Sequence, residues 1–278
     1  MKKIFFGILA IVAMVATSCQ QEHDLTIKGG VATVSFNVGA PQMSRAFSDG
    51  TSATVLQYAV YEGTTELTDL TVGEANAEVI NGSTTIDLQL VTGNEYTVIF
   101  WADNVNAPYT VDWATGTLTV DYSNVLSNNE ELDAFYAKHT FTVKGAQTET
   151  VYLKRPFAQV NIGTNDYAAA ESAGYKPEYS YVKVSNIYNT LNLWDGAVSN
   201  EEAVTYKYAN IPAGETFPVA GYEYLAMNYL LVNEAETVNV EFGYGESSTA
   251  AEKTRTVGSV PVQRNYRTNI YGQLLTSD

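Results

Sequence analysis

Few side chains in this chain could carry covalent chemistry. There is one cysteine, Cys19, and there are two histidines, His23 and His139. A serine nucleophile needs a histidine that is held by a carboxylate and faces a strained hydroxyl. No G-x-S-x-G elbow supplies that strain. His23 falls in a polar stretch near the start, and His139 closes a short helix-like run. Metal chemistry needs clustered ligands, and no C-x-x-C, H-x-x-x-H or D-x-[DN]-x-[DN]-G spacing occurs. The glycine-rich "FGYGESS" lacks the Lys-Ser/Thr ending of a phosphate loop. Glycoside hydrolysis needs only two facing carboxylates, and 31 acidic residues offer many pairs, none singled out by spacing. The expectation is a protein without catalytic residues, metal or cofactor. Trp101, Trp113 and Trp194, with 20 tyrosines, could stack sugars, but aromatic residues also serve cross-strand packing.

Cys19 has a different setting. The opening "MKKIFFGILAIVAMVATSC" has two lysines, an apolar run from Ile4 to Ala16 and small residues before the cysteine. That is the layout of an export signal. The run is shorter than the roughly 20 residues a permanent bilayer span requires. "ATSC" resembles a lipobox, so residues 1–18 read as a lipoprotein signal peptide and Cys19 as the lipidated first mature residue. Acyl chains there would hold the protein at a membrane surface. A lone cysteine also rules out an intramolecular disulfide.

Charge narrows the partners. The formal net charge is −16, and loss of the two signal lysines takes it to −18. Such a surface repels nucleic acid and anionic lipid. Within this acidic chain Arg45 stands alone, the only basic residue between Lys28 and Lys138. Its segment, "PQMSRAFSDG", is rich in small and turn-forming residues and reads as an exposed loop.

The elements around these residues are strands. "VATVSFNV" (31–38) puts Ala32, Val34, Phe36 and Val38 on one face. "TVLQYAVYEG", "EYTVIFWAD", "TGTLTVDY", "TFTVKG" and "TETVYLKRPFAQVNIGT" continue the pattern. "AEVINGSTTIDLQL" reads as a hairpin around Asn-Gly. "SNNEELDAFYAKH" (127–139) reads as a short amphipathic helix, with Leu132, Phe135 and Tyr136 on one side, and "DYAAAESAG" as a weaker helical patch. Many short strands over this length predict an all-β chain of two tandem β-sandwiches. The expected boundary lies near 146–151, giving domains over 46–148 and 149–278.

Several stretches together resemble a known family. "MSRAFSDG" followed by "TVLQYAVYEG", then "DAFYAKHTFTVKG", "ETVYLKRPFAQVNIGT", "AMNYLLV" and "VPVQRNYRTNIYGQLLT" are similar, in order, to fimbrillin-like surface lipoproteins of Bacteroidales, the subunits of type V pili. "QQEHD" behind Cys19 resembles the short acidic signal of surface-exported lipoproteins. The resemblance implies two transthyretin-like sandwiches in a lipoprotein precursor displayed on the outer membrane. It implies an Arg-specific protease cutting Arg45–Ala46 and removing residues 19–45, tether and first strand together. The face Ala32, Val34, Phe36 and Val38 would then leave a slot, filled by the last strand of another pilus subunit. Ile270, Leu274 and Leu275 would be the plugs of such a donor strand. Strand addition of this kind satisfies an apolar slot and unpaired backbone at once, and head-to-tail contacts build filaments. If the last strand instead completes its own sandwich, the chain reads as an uncut anchor, tip or accessory subunit. A reading from another class is a surface lipoprotein that binds glycans on a sandwich face.

Overall fold

Among the described residues, the period-two runs are realised as strands. The computed structural model describes residues 29–40, 49–76 and 83–277; Cys19, Arg45 and Ala46 lie outside them, as does most of the first arm of the expected 77–90 hairpin. In chain order the strands are β1 (Val31–Gly39), β2 (Val55–Glu62), β3 (Thr65–Glu66), β4 (Val72–Asn76), β5 (Thr84–Val91), β6 (Glu95–Asp103), β7 (Tyr109–Asp112), β8 (Thr117–Val120), β9 (Phe135–Thr142) and β10 (Gln147–Tyr152). Then come β11 (Phe157–Thr164), the helix α1 (Tyr167–Ser172), β12 (Tyr179–Asn192), β13 (Val198–Asn210), β14 (Glu223–Leu231), β15 (Ala235–Gly245), β16 (Lys253–Gln263) and β17 (Arg267–Gly272). The protein is all-β, and α1 is the α-helix of the described residues.

Two sandwiches result. In the first, the sheet β10-β1-β5 faces the sheet of β2, β3, β4, β6 and β9. Val34, Phe36 and Val38 of β1 meet Leu88 of β5 and Val98 and Phe100 of β6 in one core. In the second, β16-β15-β12-β8-β7, with β13 beside β12, faces β14-β11-β17. Its core also receives the back of the first sandwich, through Ala59, Tyr61, Ile99 and Trp101. The near-continuous apolar run of β6 follows: alternate residues serve different cores, so both faces are buried.

The two sandwiches repeat one arrangement. β1 runs antiparallel to β5 and parallel to β10. β11 runs antiparallel to β14 and parallel to β17. In each, the opening strand lies in the middle of its sheet and the closing strand lies beside it.

Sheet membership and chain order diverge at two places. β10 pairs with β1, so the expected division at 148/149 falls inside a strand of the first sandwich. The β7–β8 hairpin, within the 46–148 range, pairs with β12 of the second. β12 reaches both because it is long: Tyr179–Ser185 pair with β15 and Thr190–Asn192 with β8. A register shift between Val184 and Ile187, with Asn186 at φ +65°, bends the strand between these partners. Gly116 closes the β7–β8 turn at φ +65°, where a Cβ would lie 2.4 Å from Trp194 Nε1, so only glycine fits.

The helix expected over 127–139 is absent. Asn129 caps a single 3-10 turn, Glu130–Leu132, and Phe135–Thr142 is strand β9. Leu132 and Phe135 do become buried, as the helical spacing suggested, but from a turn and a strand. The pairing of β9 with β6 along Glu95–Ala102 overrides local propensity. His139 is accordingly a strand residue rather than a helix end. Its Nε2 lies 2.9 Å from Glu149 Oε2, and its ring stacks on Phe141. The second arm of the expected hairpin, β5, pairs with β1 among the described residues.

Candidate functional site

The site indicated by the sequence is β1 and the space it fills. Val31–Val38 pair with Thr84–Val91 on one side, and Val34–Gly39 with Gln147–Tyr152 on the other. Bonds from Thr92 N to Gly30 O (2.7 Å) and from Leu153 N to Gly39 O (2.8 Å) extend the ladder at its two ends. Val34, Phe36 and Val38 are fully buried, and Ala32 packs at the margin of the same core. Phe36 is the centre of this plug, with ring centroids 5.2 Å from Phe141 and 5.7 Å from Phe100. Burial of each large side chain contributes roughly 1.5–3 kcal/mol.

The outward face of β1 is polar and makes lighter contacts. Ser35 donates to Asp87 Oδ1 (2.6 Å), Gln89 to Thr33 Oγ1 (2.8 Å) and Thr85 to Asn37 Oδ1 (3.2 Å). Loss of β1 would open a channel one strand wide between β5 and β10, about 10 Å across. It would strip backbone partners from both walls and uncover the apolar floor.

The other predicted element, the closing strand, is engaged within its own sandwich. β17 pairs with β11 over Gln159–Thr164. Leu275 is buried, and Ile270 and Leu274 pack against the second core. A polar clamp holds the segment that follows. Asp166 accepts from Leu275 N, from Thr276 N (2.8 Å) and from Thr276 Oγ1 (2.7 Å). Arg255 Nη2 donates to Leu274 O (2.9 Å) and Ser277 O (2.6 Å), and Tyr244 donates to Leu274 O. β1 and the 270–275 segment therefore sit in separate sandwiches and are not brought together.

Asp166 makes this clamp pH-sensitive. Burial works against its charge, yet bonds from Thr164, Thr276 and the backbone of Thr276 and Leu275 outweigh it and lower its pKa to about 2. A folded value below the ordinary 3.8 means its contribution is complete above about pH 4 and is lost as pH falls toward 2. The stability difference between the wild type and Asp166→Asn, measured by thermal unfolding across that window, should be widest above pH 4 and close toward pH 2. An unchanged gap would remove Asp166 as the cause. Nothing in local spacing announces this clamp, because Asp166 and Thr276 are 110 residues apart.

A family model described as "Family of unknown function (DUF6562)" matches residues 26–278. The chain belongs to this family. No curated protein matches its sequence. Among solved structures, a Bacteroides thetaiotaomicron protein inferred to bind polysaccharide (DUF1812) is similar, with a TM-score of 0.52 at 14% identity over 78% of each chain. A Bacteroides ovatus protein inferred to be an adhesin gives 0.48 at 11% identity, covering 84% of this chain and 77% of its own. The fimbrial anchor protein Mfa2 from Porphyromonas gingivalis gives 0.45 at 12% identity, covering 81% and 82%. At 14% identity, the likeness to the first of these is one of fold.

In this DUF6562 chain the three tryptophans form no exposed platform. Trp101 is fully buried, with Nε1 donating to Asp103 (2.7 Å). Trp113 and Trp194 are half-buried against the second core, and Trp194 meets Tyr61 edge-on at 4.7 Å. Among the described residues no group of three or more His, Cys, Asp or Glu could hold a metal ion. No described helix is long and apolar enough to cross a membrane.

Proposed function

We propose that this chain is a cell-surface, pilus-associated structural protein whose first strand is an exchangeable plug. The placement of β1 carries the reading. It is a central strand, it fills an apolar floor with Val34, Phe36 and Val38, and it precedes the segment containing Arg45. A cut at Arg45–Ala46 would leave β1 attached by non-covalent contacts alone. An incoming strand could then replace those contacts one for one. The sequence resemblance to fimbrillin-like lipoproteins supports the same reading, as does the signal-like start that ends in Cys19. Membrane attachment through Cys19 and processing by an Arg-specific protease belong to this proposal.

The cis-held tail favours one version of it. Release of Ile270, Leu274 and Leu275 as a donor would break the Asp166 and Arg255 contacts and open the second core. The chain therefore fits an acceptor or accessory position, such as an anchor or tip, better than a repeating stalk. N-terminal sequencing of the surface-displayed protein separates the versions. Ala46 as the first residue marks an opened acceptor, whereas a lipid-blocked Cys19 as the sole species marks an uncut anchor. Arg45→Ala should abolish incorporation of neighbouring subunits and leave the melting temperature unchanged. Normal incorporation by that variant would end the cleavage reading.

A further inference from the structure

A cleft of about 1050 Å³ opens where the chain passes from β10 to β11, between the two sandwiches. Its walls depart from the rest of the molecule in charge. Lys138, Lys154 and Arg264 line it, against Asp195 and Glu234, although acids outnumber bases 31 to 15 in the whole chain. Arg155 beneath them is matched by Asp133. Of the two acids, Asp195 uses Oδ1 to accept from Ala197 N in its own turn (2.8 Å), and the backbone carbonyl of Glu234 accepts from Arg264 N (3.1 Å). Lys138 donates to Trp194 O, and Arg264 holds Val232 O and Gly196 O (both 2.7 Å). Lys154 is exposed, and no described residue hydrogen-bonds its ammonium. Its backbone is fixed by the paired bonds to Tyr136, so the ammonium is carried on a rigid base.

The cleft is also aromatic. Tyr152 is 67% exposed and Tyr266 60% exposed, two of the most exposed large apolar side chains among the described residues. Trp194 adds a half-buried ring, with Lys138 Nζ 5.8 Å from its centroid. Gln263 and Asn265 supply exposed amides at the same rim. The volume is that of a small-ligand site.

We propose that this cleft binds an anionic oligosaccharide, carboxylated or sulfated. The exposed faces of Tyr152 and Tyr266 pack against the C–H faces of sugar rings, the amides meet hydroxyls, and Lys154 meets the anionic group. An acidic peptide would need the cations but gives the exposed rings no comparable task. Three cations against two carboxylates give the cleft a slight positive excess within an acidic chain, which favours an anionic ligand there. This inference does not depend on strand exchange, because no residue lining the cleft belongs to β1.

The test uses the purified full chain and a panel of oligogalacturonates, chondroitin sulfate oligosaccharides and neutral galacto-oligosaccharides, read by calorimetry. Binding of at least one anionic member, weakening with salt, is expected, with no binding of the neutral ones. The uronate and sulfate arms identify the anion. Lys154→Glu should weaken binding by about tenfold or more, and Tyr266→Ala by about fivefold. Both side chains are exposed, so melting temperatures should stay unchanged. Failure of every anionic member, equal binding of neutral sugars, or wild-type binding by Tyr266→Ala would overturn the proposal. So would competition by polyglutamate as strong as by the saccharide. Arg45→Ala should leave this binding intact, so the pilus reading and this one fail separately.

Discussion

Asp133→Ala is expected to destabilise the protein by about 3–5 kcal/mol, the usual cost of stranding one member of a buried ion pair. Arg155 is 3% exposed and Asp133 not at all. The guanidinium grips the carboxylate with two bonds, Nε to Oδ1 and Nη2 to Oδ2 (2.5 Å). Burial opposes the charge on Arg155, and Asp133 overcomes it and holds the pKa above its ordinary value. The guanidinium also lies 5.1 Å from the Phe135 ring of the first core and 5.5 Å from the Tyr229 ring of the second. It therefore ties both sandwiches to the segment that joins them. Denaturant unfolding should show a lower midpoint, and the double variant Asp133→Leu/Arg155→Met should recover most of the loss, since no charge is left unpaired. If Asp133→Ala costs under about 1 kcal/mol, the pair is not the staple described here.

Phe36→Ala should cost about 3–5 kcal/mol by deletion of a fully buried ring among Phe100, Phe141 and His139. The effect bears on function as well as stability, because Phe36 is the largest contact β1 makes with its slot. In protein cut at Arg45, the variant should release its first strand faster than the wild type, measured by mass spectrometry of the free peptide. Asn37→Ala, on the solvent side, should change stability by no more than about 0.5 kcal/mol. Equal strand release by Phe36→Ala and Asn37→Ala would show that the apolar plug does not govern retention.

Most of the local structure is legible in the order of residues along the chain. Alternation in 31–38 identified β1 and the buried face that plugs the core, because a half-buried strand must alternate. The class of fold followed from many such runs, and the weak helical patch after Thr164 became α1. Spacing of Leu132, Phe135 and Tyr136 located buried residues but misassigned the element. Apolar spacing reports burial, whereas the β6 edge decided that this segment would be a strand.

The long-range assignments follow from how the strands meet in space. The placement of β7–β8 beside β12, and of β10 beside β1, depends on which edges remain open once neighbouring strands have paired. The Asp166 clamp on Thr276 and the Asp133–Arg155 pair join residues 110 and 22 positions apart. The basic, aromatic cleft is assembled from strands and turns of both sandwiches. Side-chain periodicity is a property of one strand and its two faces. Edge pairing, buried charge matching and clefts arise only when separate strands meet, so no local pattern encodes them.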